Sequence, residues 1–119
     1  MSGQIKGDLY RVEMMHFFIE SILKFAKGKT YTNFKHDEQL NFAVIYAVGQ
    51  IGEHANNLTQ EFCEKYSHIP WRQIIAMRHR IVHDYHGVNM DITWETVQHD
   101  IPALLEQCTQ ILRDEKRVL

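Results

Sequence analysis

The sequence has little of what marks a membrane-spanning, secreted or polybasic protein. Its longest uninterrupted apolar run covers residues 42–48, which is far short of the roughly 20 residues that a membrane helix needs. The N-terminal residues include no apolar segment of the kind found in secretory signals. Lys and Arg number 13 against 15 Asp and Glu, so the formal net charge is −2 and no general excess of positive charge would attract a polyanion. We therefore expect a soluble, cytoplasmic protein.

Cysteine is also scarce, which limits the part that covalent cross-links or structural zinc could play. The two cysteines, Cys63 and Cys108, lie inside helical patterns and show no CxxC spacing. We predict that both are small buried apolar residues rather than members of a disulfide or a zinc site.

What the sequence does contain is an ordinary globular composition and an unusual number of histidines. The chain has 119 residues, of which 45% are hydrophobic and 24% charged. This length fits a single domain over residues 1–119. The eight histidines titrate near neutral pH and could act as ligands, as acids or bases, or simply as helix residues.

Apolar residues recur at steps of three and four along most of the chain, which is the period of amphipathic helices. A first helix is predicted over residues 7–27, where Lys27-Gly28-Lys29 ends it. A second passes from Leu40 to Phe62 and contains Gly49 and Gly52, one turn apart, which favour close approach of another helix.

Two further helices complete the prediction. The third begins at Pro70 and runs to about residue 83, and the fourth carries apolar residues from Trp94 to Ile111. Pro102 lies inside the fourth helix and should bend it without ending it. Because no bounded run of period two indicates a strand, we expect an all-α, antiparallel four-helix bundle with room for a short extra helix.

The segment most suited to chemistry covers residues 72–86, where three arginines and three histidines accompany a single acid. Arg78 and His83 are five residues apart, about 140° around an ideal helix. They can face one cleft if His83 lies at the frayed helix end, where the chain turns toward Gly87. A histidine can move protons in RNA cleavage, and an arginine can stabilise the charged phosphorane-like state.

The same segment closely resembles the HEPN superfamily, specifically the HepT-like ribonuclease toxins. Their signature is Arg, a polar residue, three residues, His, one residue and Tyr, and the chain matches it with Arg78, His79, His83 and Tyr85. Further similarity lies in Pro-Trp-Arg before the motif, in Gly-Val after it, and in residues 27–29, 51–53, 57–58, 94–95 and 100–102. The resemblance thus covers nearly the whole chain.

The resemblance implies a homodimer with a composite ribonuclease site that needs neither a metal nor a cofactor. In that family the matching residues make His83 the general acid or base, Arg78 the phosphate-binding residue, and His79 a supporting residue. It implies an RNA substrate and a neighbouring MNT-type nucleotidyltransferase antitoxin that attaches AMP to Tyr85. A nucleotide there would block the cleft and compete for Arg78.

Other interpretations stay open beside this one. His79 and His83 are spaced to chelate a metal with Asp84 or His86 as a third ligand, although Arg78 and Arg80 would repel a cation. A HEPN bundle could also bind nucleotides or RNA without turnover, as the partner of a nucleotidyltransferase. His86 and His54 depart from the usual family pattern, and the sequence does not assign them a role.

Overall fold

In a computed structural model, residues 2–83 and 87–116 are described, with the side chains of residues 7–82 and 87–116. They form an all-α bundle, as predicted. Its long helices are α1 (Ser2–Ala26), α3 (Glu38–Asn56), α5 (Trp71–Ile81) and α7 (Ile101–Asp114). Helix α3 packs between α1 and α5, while α1 also packs against α7. Among the described helices, none has both the length and the apolar composition needed to cross a bilayer.

Helix α1 is the predicted first helix, and it begins earlier than residue 7. Its fully buried side chains include Val12, Met15 and Ile19, which recur at steps of three and four and face the core. The helix ends at Ala26, and Gly28 then adopts a φ of 74°. A left-handed residue of this kind commonly terminates a helix, which explains the predicted stop at residues 27–29.

A short helix, α2 (Tyr31–His36), precedes α3. Thr30 and Asn33 form a reciprocal capping box at its start, and the Asp37 side chain caps α3 by accepting from the Leu40 N–H at 3.0 Å. The buried amide of Asn41 donates to the backbone carbonyls of Phe34 and Asp37, both at 2.8 Å. These bonds hold α2 against α3.

The predicted second helix is wrong at its C-terminal end, because the helix does not continue to Phe62. Helix α3 ends at Asn56, and a separate short helix, α4 (Gln60–Lys65), begins after Thr59. The buried carboxylate of Asp8 accepts hydrogen bonds from the Thr59 N–H at 2.8 Å and from its hydroxyl at 2.7 Å. This contact with α1 favours the break, since it binds a backbone N–H that a continuous helix would use internally.

The expectation that the chain forms no strand is also corrected at one place. Helix α5 ends at Ile81, and two strands of two residues follow, β1 (Val82–His83) and β2 (Gly87–Val88). They pair antiparallel, Val82 with Val88 and His83 with Gly87. The hairpin is too short to produce the alternating apolar pattern from which strands are predicted.

The fourth predicted helix contains three successive parts: α6 (Met90–Glu95), a π-helical turn (Thr96–Asp100) and α7. The Ile101 N–H donates to the Thr96 carbonyl, five residues back. Pro102 lies in the first turn of α7 and has no N–H for the Gln98 carbonyl. The helix therefore continues through the proline, as predicted, and the wider π turn directly precedes it.

Both cysteines are free, and Cys108 is buried in the core while Cys63 is half-buried. Burial raises the pKa of the Cys108 thiol to about 12. The prediction of a buried apolar cysteine is confirmed for Cys108, whereas it is wrong in part for Cys63, which is only half-buried.

Candidate functional site

Arg78 lies in the last turn of α5 and its side chain is exposed. A Cβ built on Gly49 of α3 would lie 3.1 Å from Arg78 Cδ and 3.5 Å from Nε. The stem of the arginine therefore crosses α3 at the one position in that turn that has no side chain. Gly49 leaves room for the side chain of the predicted site arginine, and the predicted close approach of another helix is confirmed at Gly52, which faces the backbone of α5.

Two arginines in the last turn of α5, Arg78 and Arg80, differ in their ion pairs. Arg80 donates to Asp100 of the π turn at 3.0 Å, in an ion pair that is about half exposed. Arg78 forms no ion pair with any carboxylate whose side chain is described. His79 is exposed. Of these two arginines, Arg78 is thus the one available to an anionic ligand within the described part of the chain.

The hairpin fixes the backbone at His83. The Val82 N–H donates to the Arg78 carbonyl, which ends α5, and the chain then extends into β1. His83 therefore lies beyond the helix, so the 140° offset of a continuous helix does not apply to it. The His83 side chain and all of Asp84, Tyr85 and His86 lie outside the described residues.

A surface of exposed aromatic side chains lies on α1 and α3. We call it the aromatic face and define it by Tyr10, Phe17, Phe42 and Tyr46, which are exposed by 54%, 58%, 65% and 62%. The half-buried Phe18 links its two helices, with ring centroids 5.2 Å from Phe17 and 6.0 Å from Tyr46.

The aromatic face extends toward Arg78 along one side of α3. Phe42, Tyr46 and Gly49 follow one another at steps of four and three, which places them on the same side of that helix. Arg78 packs over Gly49, at the end of this series. Several apolar side chains exposed on neighbouring helices are typical of protein interaction surfaces.

His54 is buried at the edge of this face, where its ring lies near Tyr10 and stacks on Phe18 with centroids 6.2 Å apart. Arg11 Nη1 lies 3.2 Å from His54 Nδ1. Because a guanidinium only donates, Nδ1 accepts and the ring is neutral with its proton on Nε2. Burial, and then the Arg11 charge, lower the pKa of His54. No spacing between residues indicates this contact between α1 and α3 in advance.

The described residues include no group of three or more His, Cys, Asp or Glu side chains that could hold a metal ion. The metal arrangement considered from the sequence requires the side chain of His83 with Asp84 or His86, which fall outside the described side chains.

Within the described residues, the bundle places an arginine that has no carboxylate partner just before a hairpin that contains a histidine, which suits a protein that binds phosphate. A family model described as "Ribonuclease HepT-like" matches residues 15–111. The chain therefore belongs to the HepT-like ribonuclease family of the HEPN superfamily, which confirms the resemblance found in the sequence.

Several relatives are similar over most of the chain. "Putative RNase TTE0752" of Caldanaerobacter subterraneus is 40% identical over 97 residues, which cover 82% of this chain and 87% of the relative. "Probable ribonuclease HepT" of Thermococcus cleftensis is 38% identical over 72% of this chain and 78% of that protein. No solved structure shows a significant match.

Another relative carries the same region in a longer protein. "Gamma-glutamylcyclotransferase and putative RNase MJ0434" of Methanocaldococcus jannaschii is 42% identical over 96 residues, which cover 81% of this chain but 43% of that protein. The family and these names together support ribonuclease activity for this chain.

Proposed function

We propose that this chain, as a single HepT-like domain, is the toxin of a bacterial toxin–antitoxin pair and cleaves RNA as a metal-independent endonuclease in the cytoplasm. The observation that carries the proposal is Arg78, an exposed guanidinium packed on Gly49 with no ion pair to a described carboxylate. It lies five residues before His83 in a chain of the HepT-like ribonuclease family.

In the proposed reaction, the 2′-hydroxyl of the RNA loses its proton and its oxygen attacks the adjacent phosphorus. The bond to the 5′-oxygen then breaks, and that oxygen takes up a proton. The products are a 2′,3′-cyclic phosphate and a 5′-hydroxyl. His83 moves the protons, Arg78 stabilises the extra charge on the phosphate oxygens, and His79 supports the site.

Homodimerisation through the aromatic face is part of the proposal. Phe42 and Tyr46 expose well over half of their surface, and Phe17 continues the same surface on α1. A second copy would bury these rings, which is favourable at about 25 cal/mol per Å² of apolar area. Because Arg78 lies at the end of the face, a two-fold contact there would bring the two Arg78 side chains toward a shared cleft.

Regulation by a nucleotidyltransferase antitoxin completes the proposal. Tyr85 matches the family tyrosine that receives AMP and follows His83 by two residues in the chain. An attached nucleotide would add negative charge beside Arg78 and obstruct the cleft.

The test of catalysis is cleavage of RNA in EDTA, followed by analysis of the product ends. Arg78→Ala and His83→Ala should each reduce kcat by about a hundredfold or more, a loss typical of one charge-stabilising or proton-transfer group. Arg72→Ala is the matched control, since Arg72 is an exposed arginine at the other end of α5. Activity that requires a metal, or full activity in His83→Ala, would refute the mechanism.

Binding of RNA without any cleavage by the wild-type chain would instead favour the non-catalytic partner of a nucleotidyltransferase.

The dimer is tested by light scattering after size-exclusion chromatography. Phe42→Glu and Tyr46→Glu should convert the dimer to a monomer and lower activity. Gln98→Glu adds the same charge at an exposed residue of the π turn and should leave the dimer intact. A wild-type chain that is monomeric at the assay concentration would contradict the composite site.

Modification is tested separately, by mass spectrometry after incubation with ATP and the proposed nucleotidyltransferase antitoxin. An AMP adduct on Tyr85, absent in Tyr85→Phe, is the expected result. Adducts elsewhere, or none, would remove this part of the proposal without affecting cleavage.

A further inference from the structure

Asn89 joins the hairpin to α6 and uses nearly every polar group that it has. Its N–H donates to the carbonyl of Ile81 at 2.8 Å, and its side-chain oxygen caps α6 by accepting from the Ile92 N–H at 3.0 Å. Its carbonyl accepts from the N–H of Thr93 at 3.0 Å and from the Thr93 hydroxyl at 2.7 Å. Asn89 thus connects the end of α5 with the beginning of α6.

These bonds close a short segment of seven residues, 82–88, that contains His83. On one side Val82 donates to the carbonyl of Arg78, and on the other Asn89 donates to the carbonyl of Ile81. Ile81, which accepts the bond from Asn89, is 1% exposed, and Thr93, which donates two bonds to the carbonyl of Asn89, is 0% exposed. The described ends of this segment, where Val82 pairs with Val88 and His83 with Gly87, are therefore tied to core residues of α5 and α6.

We propose that Asn89 is a positioning residue that sets the place of His83 relative to Arg78. The inference rests on the proposed function, in which these two side chains act on the same phosphate. Asn89 acts through the backbone: its side-chain cap holds its own φ and ψ at −86° and 103°, and that conformation aims its N–H at the carbonyl of Ile81. Loss of the cap frees the first turn of α6, and the pairing of His83 with Gly87 loosens with it.

The structure offers a matched control in Asp37. Its side chain caps α3 in the same way, by accepting from the N–H three residues on, at the same 3.0 Å. Asp37→Ala therefore removes an equivalent capping bond at the start of α3, which does not adjoin the hairpin. An effect on His83 that follows from general destabilisation should be the same in Asp37→Ala and Asn89→Ala.

The experiment compares Asn89→Ala, Asn89→Ser and Asp37→Ala in the full chain, with RNA cleavage and with NMR titration of the His83 ring. Serine is a good neutral capping residue, so it tests rescue without adding a charge near His83. We expect Asn89→Ala to lower kcat by about tenfold or more while KM stays within about threefold. The pH profile of kcat and the His83 ring signals should move in Asn89→Ala, and Asn89→Ser should restore them.

Two results would overturn the inference. One is unchanged kcat and unchanged His83 signals in Asn89→Ala, and the other is an equal loss in Asp37→Ala. If the wild-type chain cleaves no RNA, the proposed function fails, and the NMR comparison still decides whether Asn89 places His83.

Discussion

One methyl group added at Gly49 should raise the stability of the protein and lower its activity, because the side chain of Arg78 covers Gly49. Alanine favours a helix interior over glycine by about 1 kcal/mol. In Gly49→Ala the new Cβ would lie 3.1 Å from Arg78 Cδ, a few tenths of an ångström inside ordinary contact. Arg78 is exposed and has several rotatable bonds, so its stem can move aside. We expect the free energy of unfolding of Gly49→Ala to rise by about 0.5–1 kcal/mol. The Arg78 side chain is displaced from its position over residue 49.

Gly52 provides the opposite case one turn further along α3. A Cβ there would lie 3.2 Å from the backbone oxygen of Ile75 and 3.6 Å from that of Ile74. Backbone inside a helix cannot rotate away, so α3 and α5 would have to separate. Overpacking of this kind costs about 1–3 kcal/mol, which offsets or exceeds the gain in helix propensity. We expect Gly52→Ala to be destabilised by up to about 2 kcal/mol.

The assay measures urea unfolding and RNA cleavage for both variants at one fixed protein concentration, since assembly would alter apparent stability. Gly49→Ala should be more stable than the wild type and cleave more slowly, by about tenfold. Gly52→Ala should be less stable. The reasoning is refuted if Gly49→Ala is destabilised as much as Gly52→Ala, or if it gains stability and keeps full cleavage activity.

Three further predictions concern the frame around the site. Asp8→Ala should lower the free energy of unfolding by about 2–3 kcal/mol, because the buried carboxylate accepts two hydrogen bonds from Thr59; Asp8→Asn, which keeps one acceptor, should lose less in the same urea titration. Burial and then the charge of Arg11 lower the pKa of His54. The neutral His54 ring therefore stabilises the fold fully above the ordinary histidine pKa, and this stabilisation is lost as the pH falls through the lowered pKa. The Tm of the wild type should therefore fall more than that of His54→Gln between about pH 7.5 and about pH 5, and parallel curves would contradict this. Iodoacetamide should label Cys63 before Cys108 in the folded protein, because Cys108 is 1% exposed and burial raises its pKa to about 12; equal rates, measured by mass spectrometry, would show that the core opens.

The long helices could be predicted because their apolar stripes are periodic and their ends carry local signals. Val12, Met15 and Ile19 on α1 bury one face, and such a face can be recognised in the sequence alone. The break at Asn57 could not, because it depends on Asp8, which lies 51 residues from Thr59 along the chain. The apolar pattern continues through Leu58 and Phe62, and the end of the helix involves the tertiary bonds of Thr59 to Asp8 together with the Thr59 cap of α4.

In the candidate site, too, the features with a local sequence signal could be predicted and the tertiary contacts could not. Arg78, His79 and His83 follow from a motif with fixed spacing, and Gly49 was expected to lie close to another helix. Nothing in the spacing pairs Gly49 with Arg78 or Arg11 with His54, since these contacts depend on how α3 is rotated against its neighbours. The hairpin could not be predicted, because strands of two residues show no alternating pattern and the bond from Asn89 to Ile81 is a contact of the folded backbone.

The two arginines of the last turn of α5 show why the net charge does not indicate whether this protein can bind a phosphate. They are two residues apart, about 200° around the helix, and so face different neighbours. The π turn before Pro102 provides Asp100 for Arg80, while Gly49 leaves room for the stem of Arg78 on the other side. One cation is thereby used to join α5 to the π turn, and the other pairs with no carboxylate among the described side chains. A chain with a formal net charge of −2 can therefore offer a phosphate a local positive site, and its affinity for RNA should depend on that site more than on the overall charge.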